Sequence, residues 1–161
     1  MALDQISLQL EEIHRAATAS PQIQLGTGVS PRDVDAAEEI LALKFPASMR
    51  RFLQSYGTIQ LPGPEIYGLY RGVNPAYYDD DCPLIDIVYL ALKRRQNFAM
   101  NPNWVLLLSC DGDWEFFLDT SANAGGEPPV FYIDIEQPNL KNDYAPDFLD
   151  FVLKRIAIHR N

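Results

Sequence analysis

Two apolar runs, "WVLLLSC" (104–110) and "WEFFLD" (114–119), are separated only by "DGD". Both favour strand, and a glycine turn this short leaves room for nothing but an antiparallel return, since a parallel one needs a long crossover. A third run, "VFYIDI" (130–135), follows the longer glycine- and proline-bearing loop "SANAGGEPP". The three are expected to form an antiparallel meander, which fixes the middle of the chain as sheet.

The chain ahead of the hairpin has a different period. Leu3, Ile6, Leu10, Ile13 and Ala17 recur at spacings of three and four, so they share one face of an amphipathic helix while Glu11, Glu12 and Arg15 point away from it. "ASPQIQLGTG" (19–28) reads as a loop or short edge strand. A second helix starts at Ser30, which caps it, with Pro31 in its first position and Asp33 against the positive end of the dipole; its buried stripe is Val34, Ala37, Ile40 and Leu41. Pro46 breaks that helix, and another follows with Met49, Phe52, Leu53 and Tyr56 on one face and Gly57 just past its end. "TIQLPGPEIYGLYRG" (58–72) reads as two short strands, residues 65–70 the stronger of them. After the loop "VNPAYYDDDCP" (73–83), Pro83 is expected to open a helix with the face Ile85, Val88, Tyr89 and Leu92, closed by Lys93, Arg94 and Arg95. A last helix runs from about Pro146 to His159. The pattern predicts an α+β domain: a mostly antiparallel sheet of five to six strands with helices packed over one face.

Composition narrows the function. A chain of 161 residues that is 47% hydrophobic and 22% charged suits a single domain over residues 1–161, with a core of useful size. The N-terminus lacks a basic start followed by an apolar run, and no apolar run approaches the length of a membrane span, so a cytoplasmic protein away from the membrane is expected. Cys82 and Cys110 are read as reduced thiols. Thirteen Lys and Arg against twenty-two Asp and Glu give a net charge of -9, which repels a phosphate backbone and disfavours direct nucleic-acid binding. The same charge steers and accelerates association with a basic protein.

The hairpin concentrates acid: Asp111, Asp113, Glu115 and Asp119 flank Trp114, Phe116 and Phe117. The first three carboxylates match the opening of a calcium loop, but Phe116 stands where the glycine is needed and Ala122 where the closing Glu is needed, so no metal is assigned. A hydrolase acting through Asp113 and Asp119 needs two carboxylates held across a cleft, which strand geometry does not favour. Alternation puts Glu115, Phe117 and Asp119 on one face and Trp114, Phe116 and Leu118 on the core face. The acidic face is either simply solvated or, with Tyr77, Tyr78, Asp79, Asp80 and Asp81 of the preceding loop, an acidic and aromatic contact surface. Neither His14 nor His159 has metal ligands at suitable spacing. Cys110 ends a buried strand, Ser109 lacks the surround of a nucleophile elbow, and "GTG" (26–28) lacks the rest of a phosphate-binding fingerprint. No catalytic residue and no cofactor are assigned.

The order of parts resembles the SUKH superfamily, which includes fungal cell-wall-synthesis regulators and many bacterial toxin-immunity proteins. The resemblance rests on "AAEEILALKFPASMRRFLQSYG" (36–57), "EIYGL" (65–69), "IDIVYLAL" (85–92), "VLLLSCDGDWEFFLDTS" (105–121) and "VFYIDIE" (130–136). It implies a non-enzymatic intracellular binding protein: an immunity protein that neutralises a cognate toxin, often a basic nuclease in this family, by covering its active surface. The alternative it implies is a regulatory interaction module with a housekeeping partner and no toxin.

Overall fold

The computed structural model describes residues 3–70, 86–110, 112–122 and 126–159. Their elements run α1 (Leu3–Thr18), β1 (Gln24–Leu25), α2 (Pro31–Leu41), α3 (Ala47–Ser55), β2 (Ile59–Gln60), α4 (Ile87–Phe98), β3 (Trp104–Cys110), β4 (Trp114–Asp119), β5 (Val130–Asp134), β6 (Asn142–Ala145) and α5 (Phe148–Ile158). β3, β4, β5 and β6 form an antiparallel sheet in that order, and β1 pairs with β2 in a separate two-stranded ladder.

Local chemistry sets most boundaries. Ser30 Oγ accepts the Asp33 N–H at 3.1 Å and the Asp33 carboxylate accepts the Ser30 N–H at 3.3 Å, a reciprocal capping box that starts α2. Pro46 precedes α3 but cannot cap it with a side chain. Glu127, from the loop before β5, does so instead: its carboxylate accepts the Ser48 N–H and the Ser48 Oγ–H, both at 2.8 Å. α4 starts later than the sequence predicts. Asp86 caps it, accepting the Val88 and Tyr89 N–H groups at 2.9 Å each, while Pro83 and Ile85 lie outside the described residues. The helix then runs to Phe98 and closes on a left-handed Ala99 (φ 50°), so Arg95 lies in its last turn as expected while Lys93 and Arg94 fall just before it. Its buried stripe is Ile87, Val88 and Ala91.

Two further differences concern strands. Residues 65–70 make only isolated bridges, Ile59 to Ile66 and Gly68 to Asp86, and the regular strand of that region is β2. Here the chain passes close to itself. A Cβ on Gly28 would lie 2.1 Å from the Gln54 carbonyl oxygen, and one on Gly68 would lie 2.3 Å from that of Gly57. β6 was not expected at all: "NDYA" is short and mostly polar, and it becomes a strand by pairing with β5, not through its own pattern.

The sheet has two unequal faces. Under α5, Val105, Leu108, Phe116, Leu118 and Val130 join one large core with Phe148, Phe151 and Val152. Phe116 lies 5.6 Å from Phe151 between ring centroids, and Phe52 of α3 lies 5.3 Å from Phe148. Each such side chain contributes about 1.5–3 kcal/mol by burial. α1 docks along α5 through Ile6, Leu10 and Ile13, and Gln9 Nε2 donates to Asp150 at 3.0 Å beside the start of α5. The opposite face holds a small second cluster of Leu106, Phe117 and Phe131. A bulge between Leu106 and Leu108 lets Leu106 enter this cluster while Leu107 and Leu108 both reach the main core. At the bulge, the Leu107 carbonyl accepts the Tyr67 N–H at 2.8 Å, tying the 59–70 segment to β3.

One buried carboxylate joins α2 to α3. Glu38, only 2% exposed, accepts the Phe45 N–H at 2.6 Å, pairs with Arg50 and lies 3.7 Å from Lys44. Arg50 also reaches Asp35 at 2.8 Å.

Candidate functional site

Alternation along β4 does direct Glu115, Phe117 and Asp119 away from the main core, but none of the three is presented freely to solvent. Phe117 is 4% exposed, stacked on Phe131 with centroids 5.7 Å apart and tilted against Trp104 at 5.3 Å. Glu115 pairs with Arg94 of α4 at 2.5 Å. Asp119 turns back on its own chain, accepting the Ser121 N–H at 3.0 Å and the Ser121 Oγ–H at 2.6 Å. Burial alone raises its pKa; the hydrogen bonds from Ser121 and the nearby Lys141 charge together outweigh that and hold it below the usual carboxylate value. Lys141 also lies 4.7 Å from the ring centroids of both Trp104 and Phe131, covering that edge of the cluster.

The turn end of the hairpin is built differently. Gly112 has φ 83°, a conformation that L side chains rarely adopt, and the turn it makes leaves Asp113 exposed. Trp114, assigned by alternation to the core face, does point to that side, but it lies at the strand's end and remains 47% exposed. Its ring packs 5.9 Å from Tyr132, and Tyr132 in turn lies 6.3 Å from Tyr144, so three aromatics cross β4, β5 and β6 side by side. Asp134 is the cross-strand partner of Trp114, and Asp113, Ile135 (46% exposed) and Glu136 are the sequence neighbours of that pair. The Ile135 N–H donates to the Asp113 carbonyl at 2.9 Å, which fixes both sides of the turn end together. Among the described residues, Asp113, Asp134 and Glu136 form no ion pair. Trp114, Asp134, Ile135 and Glu136 were not among the contact residues read from the sequence. A sequence signal for them did exist in the "DIE" (134–136) at the end of β5, which carries carboxylate, apolar and carboxylate side chains in succession.

Tyr77, Tyr78, Asp79, Asp80, Asp81, Asp111 and Cys82 lie outside the described residues. What the structure gives is the base of the 69–85 segment. Gly68 and Asp86 form a parallel bridge, with the Ile87 N–H donating to the Gly68 carbonyl at 2.9 Å. Tyr67, one residue earlier, has its phenol pKa raised chiefly by burial; Arg94 and hydrogen bonding with Ser109 oppose this and Glu115 adds to it, which places Tyr67 among those groups on the outer face. Tyr70 is pushed up to about 12 by burial and by the charges of Glu65 and Asp86.

Other chemistry is sparse. Among the described residues no three His, Cys, Asp or Glu side chains converge as a metal site. Cys110 Sγ receives Arg155 Nη2 at 3.9 Å, and the Arg155 guanidinium lies 5.4 Å from the Phe116 ring centroid. His14 stacks on Tyr56, with centroids 6.4 Å apart. No described helix is long and apolar enough to cross a membrane.

No curated protein matches the chain. A sequence model of the SMI1 / KNR4 family (SUKH-1) matches residues 28–154, from the approach to α2 through most of α5. The match spans the capped α2, the break at Pro46, the Glu127-capped α3 and the whole β3–β6 meander, and on that extent the chain belongs to the SMI1 / KNR4 (SUKH-1) family.

Proposed function

We propose that this chain is a non-enzymatic binding protein that neutralises a cognate toxin by direct contact, with a basic toxin, such as a nuclease, as its target. The observation that carries this reading is the family match over residues 28–154. The net charge of -9 and the exposed acid at the turn end supply its electrostatics. In this reading Asp113 and the loop residues Tyr77, Tyr78, Asp79, Asp80 and Asp81 meet the partner. Asp111 adds its charge, and Glu115, Phe117 and Asp119 form the β4 face that follows Asp113.

The test is to look for a toxin reading frame beside this gene and to co-express its product with this protein. Growth is expected to recover when both are made, and purified toxin and protein should form a stable complex. Their association should slow as the Debye length falls from roughly 30 Å at 0.01 M to about 10 Å at 0.1 M salt. Replacing Asp79, Asp80 and Asp81 together with Asn should reduce the on-rate. Persistent toxicity despite soluble expression of the protein refutes immunity, and purification with a housekeeping partner instead supports the regulatory role.

A further inference from the structure

The aromatic faces of this sheet are already used by cations from its own chain. Lys141 covers Trp104 and Phe131, Lys154 lies 5.0 Å from the Tyr144 ring centroid, and Arg155 lies over Phe116. Trp114 ends the same aromatic row, is half exposed, and has no such cation among the described residues. Indole is the strongest cation–π acceptor among side chains, and here its cross-strand partner is Asp134, which forms no ion pair among the described residues. A planar guanidinium satisfies both features at once, lying flat on the ring while its edge donates to a carboxylate; an ammonium does each less well.

Resting on the protein-binding reading above, we propose that Trp114 and Asp134 form the seat for an arginine side chain of a basic protein partner. Tyr132 backs the indole, and Asp134 gives the direction of approach. The site thus selects arginine over lysine, which the net charge alone does not.

The probes are oligo-arginine and oligo-lysine peptides of equal length, titrated calorimetrically at low salt. The wild type should bind oligo-arginine about three- to fivefold more tightly than oligo-lysine. Trp114→Ala should erase that preference while leaving the charge-driven part, and Asp134→Asn should weaken both peptides. Asn at 134 keeps the acceptor that Asp134 offers to the Glu136 N–H at 2.9 Å, so its turn survives. Trp104→Phe leaves Trp114 as the one indole of the two in the chain, and oligo-arginine should then change its fluorescence saturably. Equal binding of the two peptides, an intact preference in Trp114→Ala, or unresponsive Trp114 emission overturns the proposal. A toxin bound and neutralised equally well by Trp114→Ala also overturns it while sparing the immunity reading. A toxin that the wild type does not bind at all sinks immunity instead, and the peptide titrations still decide the arginine seat.

Discussion

The two ends of β4 carry the same kind of residue and use it in opposite ways. Along the strand, Glu115 is held by Arg94 and Asp119 by Ser121, and the phenylalanine between them is buried in the outer cluster. At the turn, Asp113 and Trp114 are exposed and the neighbouring Asp134 forms no ion pair among the described residues. A carboxylate with a partner of its own helps hold the fold together, whereas one without a partner remains available to another molecule. The difference lies not in residue type but in whether another side chain engages the carboxylate, as Arg94 does Glu115 and Ser121 does Asp119.

The sharpest test of this contrast is at the best-engaged carboxylate. Glu38→Ala removes the acceptor for the Phe45 N–H and leaves Arg50 short of its buried partner, which should cost about 3 kcal/mol. Denaturant unfolding should show a lower midpoint with an unchanged slope. A loss below about 1 kcal/mol would mean that the α2–α3 link is solvated rather than structural.

The contrast also explains what the sequence could show. Capping residues act within a few positions, so Ser30, Pro31 and Asp33 announced α2, and the bounds of β3 and β4 followed from their composition and the short turn. The parity of β4 was legible for the same reason. The engagement of Glu115 was not, because Arg94 comes from another element, nor was the exposure of Trp114, because alternation says which face a side chain takes but not whether anything covers it there. β6 and the cap from Glu127 were hidden likewise: each depends on a partner distant in sequence. The delayed start of α4 turned on Asp86, whose side chain reads as a first-turn helical acid until its two backbone donors show it to be the cap.

A smaller loss is expected at the middle of β4. Glu115→Ala should cost about 1.5 kcal/mol, between exposed and buried pairs, since its side chain is 15% exposed and that of Arg94 30%. A double-mutant cycle with Arg94→Ala should recover most of this as coupling. Additive losses would show that the pair does not act as one.

Asp86 sharpens the comparison through pH. Burial raises its pKa above the ordinary 3.8, and the hydrogen bonds from Tyr89 and Val88 offset this only in part. A carboxyl with a raised folded-state pKa binds its proton more tightly in the native protein, so its contribution is complete below 3.8 and is lost as pH rises through the folded value. Asp86→Asn keeps a capping oxygen and never ionises. Its stability relative to the wild type should therefore climb with pH across that window and be level on either side. A relative stability that falls over the window contradicts the assigned direction.

The smallest effect is expected at the turn. Asp113→Ala should change stability by no more than about 0.5 kcal/mol, because its exposed carboxylate contributes little to the fold. A loss equal to that of Glu115→Ala would erase the distinction between the two ends of the strand.

The crossing of the chain at Gly26, Gly28, Gly57 and Gly68 bears on how this protein can diverge. An added Cβ would meet a backbone oxygen at 2.4 Å, 2.1 Å, 2.8 Å and 2.3 Å respectively. Most core substitutions can be accommodated because a neighbouring side chain changes in step, so two lineages reach different packings through viable intermediates. A carbonyl offers no such compensating change, since every residue type carries the same one. A larger residue at these positions therefore requires the backbone itself to move, which leaves the rim and loops as the places where this fold accepts change most easily.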